Sequence, residues 1–113
     1  MILTELNAGV LLGKNGMPDE QITLLSPTDD CATWDEAVEF ARSFKAELPD
    51  QRAQALLKAN LPEEFKDEWY WSSEPLRGPR HGCAWAQSFT HGRQAYLLKT
   101  DEINVRIIRR TPL

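Results

Sequence analysis

Trp69-Tyr70-Trp71-Ser72-Ser73-Glu74-Pro75 puts three of the chain's ten aromatic residues side by side. It also marks a change of character: helix formers dominate before it, whereas aromatics, Ser, Gly and β-branched residues follow it. On a strand, successive side chains point to opposite faces, so Trp69 and Trp71 share one face and Tyr70 takes the other. Three rings therefore cannot stack on one ligand. The stretch reads as a core strand, with Trp69 and Trp71 expected to lie buried beside Trp85.

Upstream, Thr33-Trp34-Asp35-Glu36 has the spacing of a capping box. Trp34, Ala37, Val38, Ala41 and Phe44 then recur at helical spacing, which predicts a helix over 34–45 with Asp35, Glu39 and Arg42 in water. Leu48-Pro49 breaks this pattern. Asp50 is placed to cap a second helix with an inner face of Ala53, Leu56 and Leu57, and Asn60 and Pro62 end it. Pro62-Glu63-Glu64-Phe65 can add one helical turn.

Downstream, turn residues at Gly78-Pro79, Thr90-His91-Gly92 and Thr100-Asp101 divide the chain into strands at about 69–73, 83–89, 93–98 and 103–110. The short connection at 90–92 requires an antiparallel hairpin, with Gly92 suited to a positive φ. In the last strand Ile103, Val105 and Ile107 alternate with Asn104, Arg106 and Ile108, so one face should be buried. Near the start, Leu6–Leu12 and Ile22–Leu25 form a hairpin around the turn residues 14–19, and Ser26-Pro27 should stop the second strand. Helices followed by a meander of strands indicate an α+β fold. Trp34, Phe44, Leu56, Trp71, Trp85, Phe89 and Val105 are expected to form one contiguous core.

A length of 113 residues suits a single domain, 1–113, able to bury a core without disulfides or metal. The apolar run 9–13 is too short to span a bilayer and no Lys or Arg precedes it, so a cytoplasmic protein with no membrane association is expected. Cys31 and Cys83 are read as thiols of a reducing compartment. The net charge of −4 hides an asymmetry: residues 1–68 hold 14 acids and 6 bases, and residues 69–113 hold 3 acids and 7 bases. Arg106 and Arg109 are three apart on a strand and face opposite sides, so each should pair with carboxylates of the acidic helical part.

Taken in order, Trp71-Ser72-Ser73-Glu74, Ala84-Trp85, Phe89-Thr90-His91-Gly92 and Val105-Arg106-Ile107-Ile108-Arg109 resemble the strands of the Lcl-type C-terminal domain family of bacterial and phage proteins. Thr33-Trp34-Asp35-Glu36-Ala37 and Leu48-Pro49 are similar to that family's helix starts. The resemblance covers about residues 33–110. It implies a C-type lectin-like fold, with two helices packed on a curled antiparallel sheet and an N-terminal hairpin. It also implies a bacterial host and a phage or prophage accessory protein that binds rather than catalyses. Two alternatives belong to other classes: a catalytic or cofactor-binding remnant of the formylglycine-generating kind, and a structural phage component.

The residues carry little catalytic signal. Glu74-Pro75 is similar to the calcium-binding Glu-Pro-Asn of sugar-binding lectins, but Leu76 replaces the Asn and removes an oxygen ligand. His81, Cys83 and His91 lack a fourth zinc ligand. No phosphate loop, nucleophile triad or metalloprotease helix is present. Neither a metal nor a cofactor is expected. The segment Glu74 to Gly82 reads as a long exposed loop, and Glu74, Arg77, Arg80 and His81, with His91 and Arg93 of the hairpin turn, are the candidate binding residues. A protein partner fits them better than nucleic acid.

Overall fold

A computed structural model describes residues 4–113, with the backbone alone over 26–29. The capping box at Thr33 opens helix α1, Trp34–Ser43. The Thr33 hydroxyl accepts from the Glu36 amide at 3.4 Å, and the Thr33 amide donates to the Glu36 carboxylate at 3.0 Å. The Thr33 backbone first, then its side chain, hold the Glu36 carboxyl below its ordinary 4.5. A carboxylate with a depressed folded-state pKa stabilises the fold above its unfolded value, and that stabilisation disappears as the pH falls through the folded value. Glu36→Gln should therefore unfold at lower urea than the parent at neutral pH. The two midpoints should converge as the pH falls below 4.5.

Asp50 caps helix α2, Gln51–Asn60, by accepting from the Ala53 amide at 2.8 Å. A 3-10 turn follows at Pro62–Glu64. The strands are β1 (Glu5–Leu12), β2 (Pro18–Ala32), β3 (Trp69–Pro75), β4 (Cys83–Ser88), β5 (Gln94–Leu98) and β6 (Ile103–Pro112). They form one sheet in the order β1-β2-β6-β3-β4-β5, and Glu47 adds an isolated bridge to Ile108. The fold is α+β.

The sheet is mixed rather than antiparallel, because β6 runs parallel to β3 at Tyr70 and Asn104. The expected four-strand meander stops at β5. Instead of following on the edge, β6 inserts between β2 and β3. Its composition explains this: Val105, Ile107 and Ile108 are all fully buried, and an edge position would leave such a strand half in water. The expectation of one buried face on β6 fails for the same reason, since both are covered. Strand β2 also runs past Ser26-Pro27 to Ala32. The ladder to β6 is irregular between Leu25 and Asp29, which accommodates a residue without an amide proton.

Alternation along the strands divides the interior into two cores. Leu25, Trp71, Val105 and Ile107 pack with Ala37 and Ala41 of α1. Their immediate neighbours Leu24, Tyr70 and Ile108 pack with Ala53 and Leu57 of α2. The single contiguous core is thus corrected: the sheet separates Trp71 and Val105 from Phe89. Trp34 and Phe44 are half-buried against the first core, Leu56 is half-buried against the second, and Gln54 takes the fully buried place on α2.

Both faces of Trp69–Trp71 are covered. Trp71 is fully buried and its indole donates to the Ala32 carbonyl at 2.8 Å. Tyr70 enters an aromatic cluster in which Phe65 stacks on Phe89 at 4.0 Å. Trp69 is half-buried on the Trp71 side. Trp85 does not join the other tryptophans, because it stands on the Tyr70 face and meets Tyr96.

The C-terminal cations follow the same division. The Arg106 side chain lies under the acidic turn, where it donates to the Glu64 carbonyl at 2.5 Å and sits over the Phe65 ring. Burial pulls its pKa below the usual arginine value, with Glu64 and Tyr70 acting against this. Arg109 instead pairs with Glu5 of β1, since strand pairing brings the N-terminal hairpin and not the helices to its side. Arg110 binds Glu20, Glu47 and Asp50 and so ties β2, the bridge residue and the α2 cap together.

Candidate functional site

Loop 76–82 joins β3 to β4, and the Leu76 amide closes its base by donating to the Cys83 carbonyl at 3.0 Å. Gly78–Arg80 forms a 3-10 turn, with Gly78 at φ 66°. Arg77, Arg80 and His81 are exposed on this loop, and the His81 ring sits 3.0 Å from the Gly78 carbonyl. The Arg80 guanidinium lies over the Tyr96 ring, 5.0 Å from its centroid. Trp85 meets the same ring edge-to-face at 5.8 Å. The result is an exposed corner in which one arginine and two aromatics hold one another in place.

Glu74 does not belong to this corner. It is half-buried, and its carboxylate accepts from the Gln51 amide at 2.9 Å, at the first residue of α2. There it satisfies a free helix amide and favours the positive end of the helix dipole, which is a structural role. His91 and Arg93 are exposed on the turn between β4 and β5, where the Gly92 amide donates to the Ser88 carbonyl at 2.7 Å and Gly92 has φ 73°. That turn and loop 76–82 lie at opposite ends of β4, about 20 Å apart for a strand of this length. Neither His91 nor Arg93 can join Arg77, Arg80 and His81 on one small ligand. His91 is likewise separated from His81 and Cys83, and among the described residues no group of three or more His, Cys, Asp or Glu is placed to hold a metal.

Trp85 and Tyr96 are absent from the sequence-derived site, although a signal for them exists. The hairpin at Gly92 sets the register of β4 on β5, and counting back from it places Trp85 opposite Tyr96 on the same face.

No protein-family model matches the chain, and no curated protein does.

A cavity of about 210 Å³ lies under the acidic turn, lined by Glu64, Tyr70, Asn104 and Arg106. Asn104 donates to Glu68 and to the Trp69 carbonyl and the Tyr70 hydroxyl accepts from the Lys66 amide, whereas the Arg106 Nε is buried without a hydrogen-bond partner among the described residues. A second groove, of about 240 Å³, follows α1 past Trp34, Val38 and Leu48. No described helix is long and apolar enough to cross a membrane.

Proposed function

We propose that this chain is a non-enzymatic binding module with a C-type lectin-like fold, engaging a protein partner through Arg77, Arg80 and His81 together with Trp85 and Tyr96. The observation that carries this reading is Arg80 held over Tyr96 with Trp85 against the ring edge. Arg, Tyr and Trp are the residues that dominate binding energy at protein interfaces, and here all three are already ordered. Pairing of β2 with β6 and two helices ahead of the β3-β4-β5 meander support the lectin-like assignment. The resemblance of residues 33–110 to the Lcl-type domain favours a phage or prophage accessory role in a bacterial host.

The test uses immobilised protein, bacterial lysate and mass spectrometry of what is captured. Arg77→Ala/Arg80→Ala/His81→Ala should lose the proteins that the parent retains, while its stability changes by less than about 1 kcal/mol, as for exposed substitutions and one exposed cation–π contact. His91→Ala, at the far end of β4, should retain them. Equal capture by the triple variant would rule out this surface.

A further inference from the structure

We infer that strand β5 is an open docking edge that accepts an extended, acidic segment of a partner protein as an additional strand. This deepens the proposal that the Arg80–Tyr96 corner binds protein, and it rests on that reading.

The two edges of the sheet differ. Strand β1 is interrupted by register shifts at Asn7–Gly9 and Leu11–Leu12, and Gly9 sits at φ 115°. Bulges of this kind protect an edge from further pairing. Strand β5 carries no such device: its register on β4 is unbroken from Gln94 to Leu98, and Gln-Ala-Tyr-Leu-Leu contains no charge, Gly or Pro.

The phase of its hydrogen bonds is set at both ends. The Ser88 amide donates to the Arg93 carbonyl at 2.8 Å, and the Lys99 amide donates to the Gly82 carbonyl at 2.9 Å. Residues 93, 95, 97 and 99 therefore turn their backbone groups toward β4. The amides of Gln94, Tyr96 and Leu98 point away from the sheet, available to an incoming strand.

Side chains along this edge state the chemistry of the occupant. On one face Tyr96 and Leu98 are 40% and 56% exposed. On the other, Arg93 and Lys99 bracket Ala95 and Leu97, while Arg80 supplies a cation on the first face, over the Tyr96 ring. Among the described residues none of these three cations lies within ion-pair distance of a carboxylate, whereas Arg106, Arg109 and Arg110 all do. Asp101 and Glu102 follow only beyond the turn that ends the strand. A segment that alternates apolar and acidic residues satisfies both faces. A second copy of the chain does not, because antiparallel pairing centred on Tyr96 would set Arg93 directly against Lys99.

The experiment is residue-resolved amide exchange on the full chain, with and without a blocked peptide of alternating glutamate and valine. Exchange at Gln94, Tyr96 and Leu98 should slow about tenfold at a peptide concentration about ten times Kd. The already bonded amides of Ala95 and Leu97 should change little. A lysine–valine peptide should give no protection, and Arg80→Glu/Arg93→Glu should reverse the preference. Leu98→Pro, which removes an outward amide and an exposed side chain but leaves the Arg80–Tyr96 contact in place, should abolish protection at Gln94 and Tyr96. Absence of protection by the acidic peptide, equal protection by the basic one, or concentration-dependent protection without peptide would each overturn the inference. If protection fails while capture from lysate still depends on Arg77 and Arg80, only the strand-addition mode is lost. If capture is independent of those arginines, the binding surface itself is refuted.

Discussion

Trp71→Ala is expected to unfold this domain or leave it barely folded. The side chain is fully buried between the sheet and α1, and its indole proton is bonded to the Ala32 carbonyl. Truncation of a buried aromatic costs about 3–5 kcal/mol through lost transfer energy and the cavity left behind. Loss of the indole bond to the Ala32 carbonyl adds to this. Domains of this size have about 5–15 kcal/mol in total, so the loss is a large fraction of what is available. Urea denaturation followed by far-UV circular dichroism gives the answer directly. A midpoint equal to that of the parent would mean that Trp71 is not part of the first core, and that the aromatic stretch must be read again as a surface.

The second large effect is expected at a residue with no conspicuous sequence signal. Gln54 is fully buried on α2, and its side-chain amide donates to the carbonyls of Tyr70 and Trp71, both at 3.1 Å. Its backbone carbonyl accepts from Gln87, whose side-chain oxygen accepts in turn from Gln94. This chain of amides fastens α2 to β3, β4 and β5, and so supports the strands beside the binding corner.

Gln54→Glu keeps the shape and replaces the donor by a carboxyl group. At low pH the protonated acid can still donate to one carbonyl, and the variant should then lie near the parent. Ionisation would bury an unpaired negative charge against two carbonyl oxygens, so the folded state holds the proton and its pKa rises above the unfolded value of about 4.3. The folded state then binds more protons than the unfolded one, and stability falls as the pH rises, by up to about 1.4 kcal/mol per unit until the folded pKa is passed. By neutral pH the deficit should reach about 3–4 kcal/mol, the limit set by that slope above a pKa of about 4.3. Urea midpoints of parent and variant across this range provide the check, and a deficit independent of pH would show that the site is open to water.

Local information was enough for the order and type of the elements. The capping box at Thr33, the Asp50 cap and the spacing of Ala37, Val38 and Ala41 are decided within a few residues, and so is the positive φ of Gly92. The exposure of Arg77, Arg80 and His81 follows from the polar, Gly- and Pro-containing loop that holds them. Tertiary structure alone decided which strand neighbours which. β6 displaced the expected meander order because its consecutive apolar residues need cover on both sides, a competition between whole strands that periodicity within one strand does not record. The same placement divided one expected core into two, sent Arg109 to Glu5, and set His91 and Arg93 at the far end of β4 from the loop they were expected to join. Sequence specified the groups available for binding; the path of the chain through the sheet decided which of them share a surface, because that depends on strand order and direction rather than on any residue's neighbours in the chain.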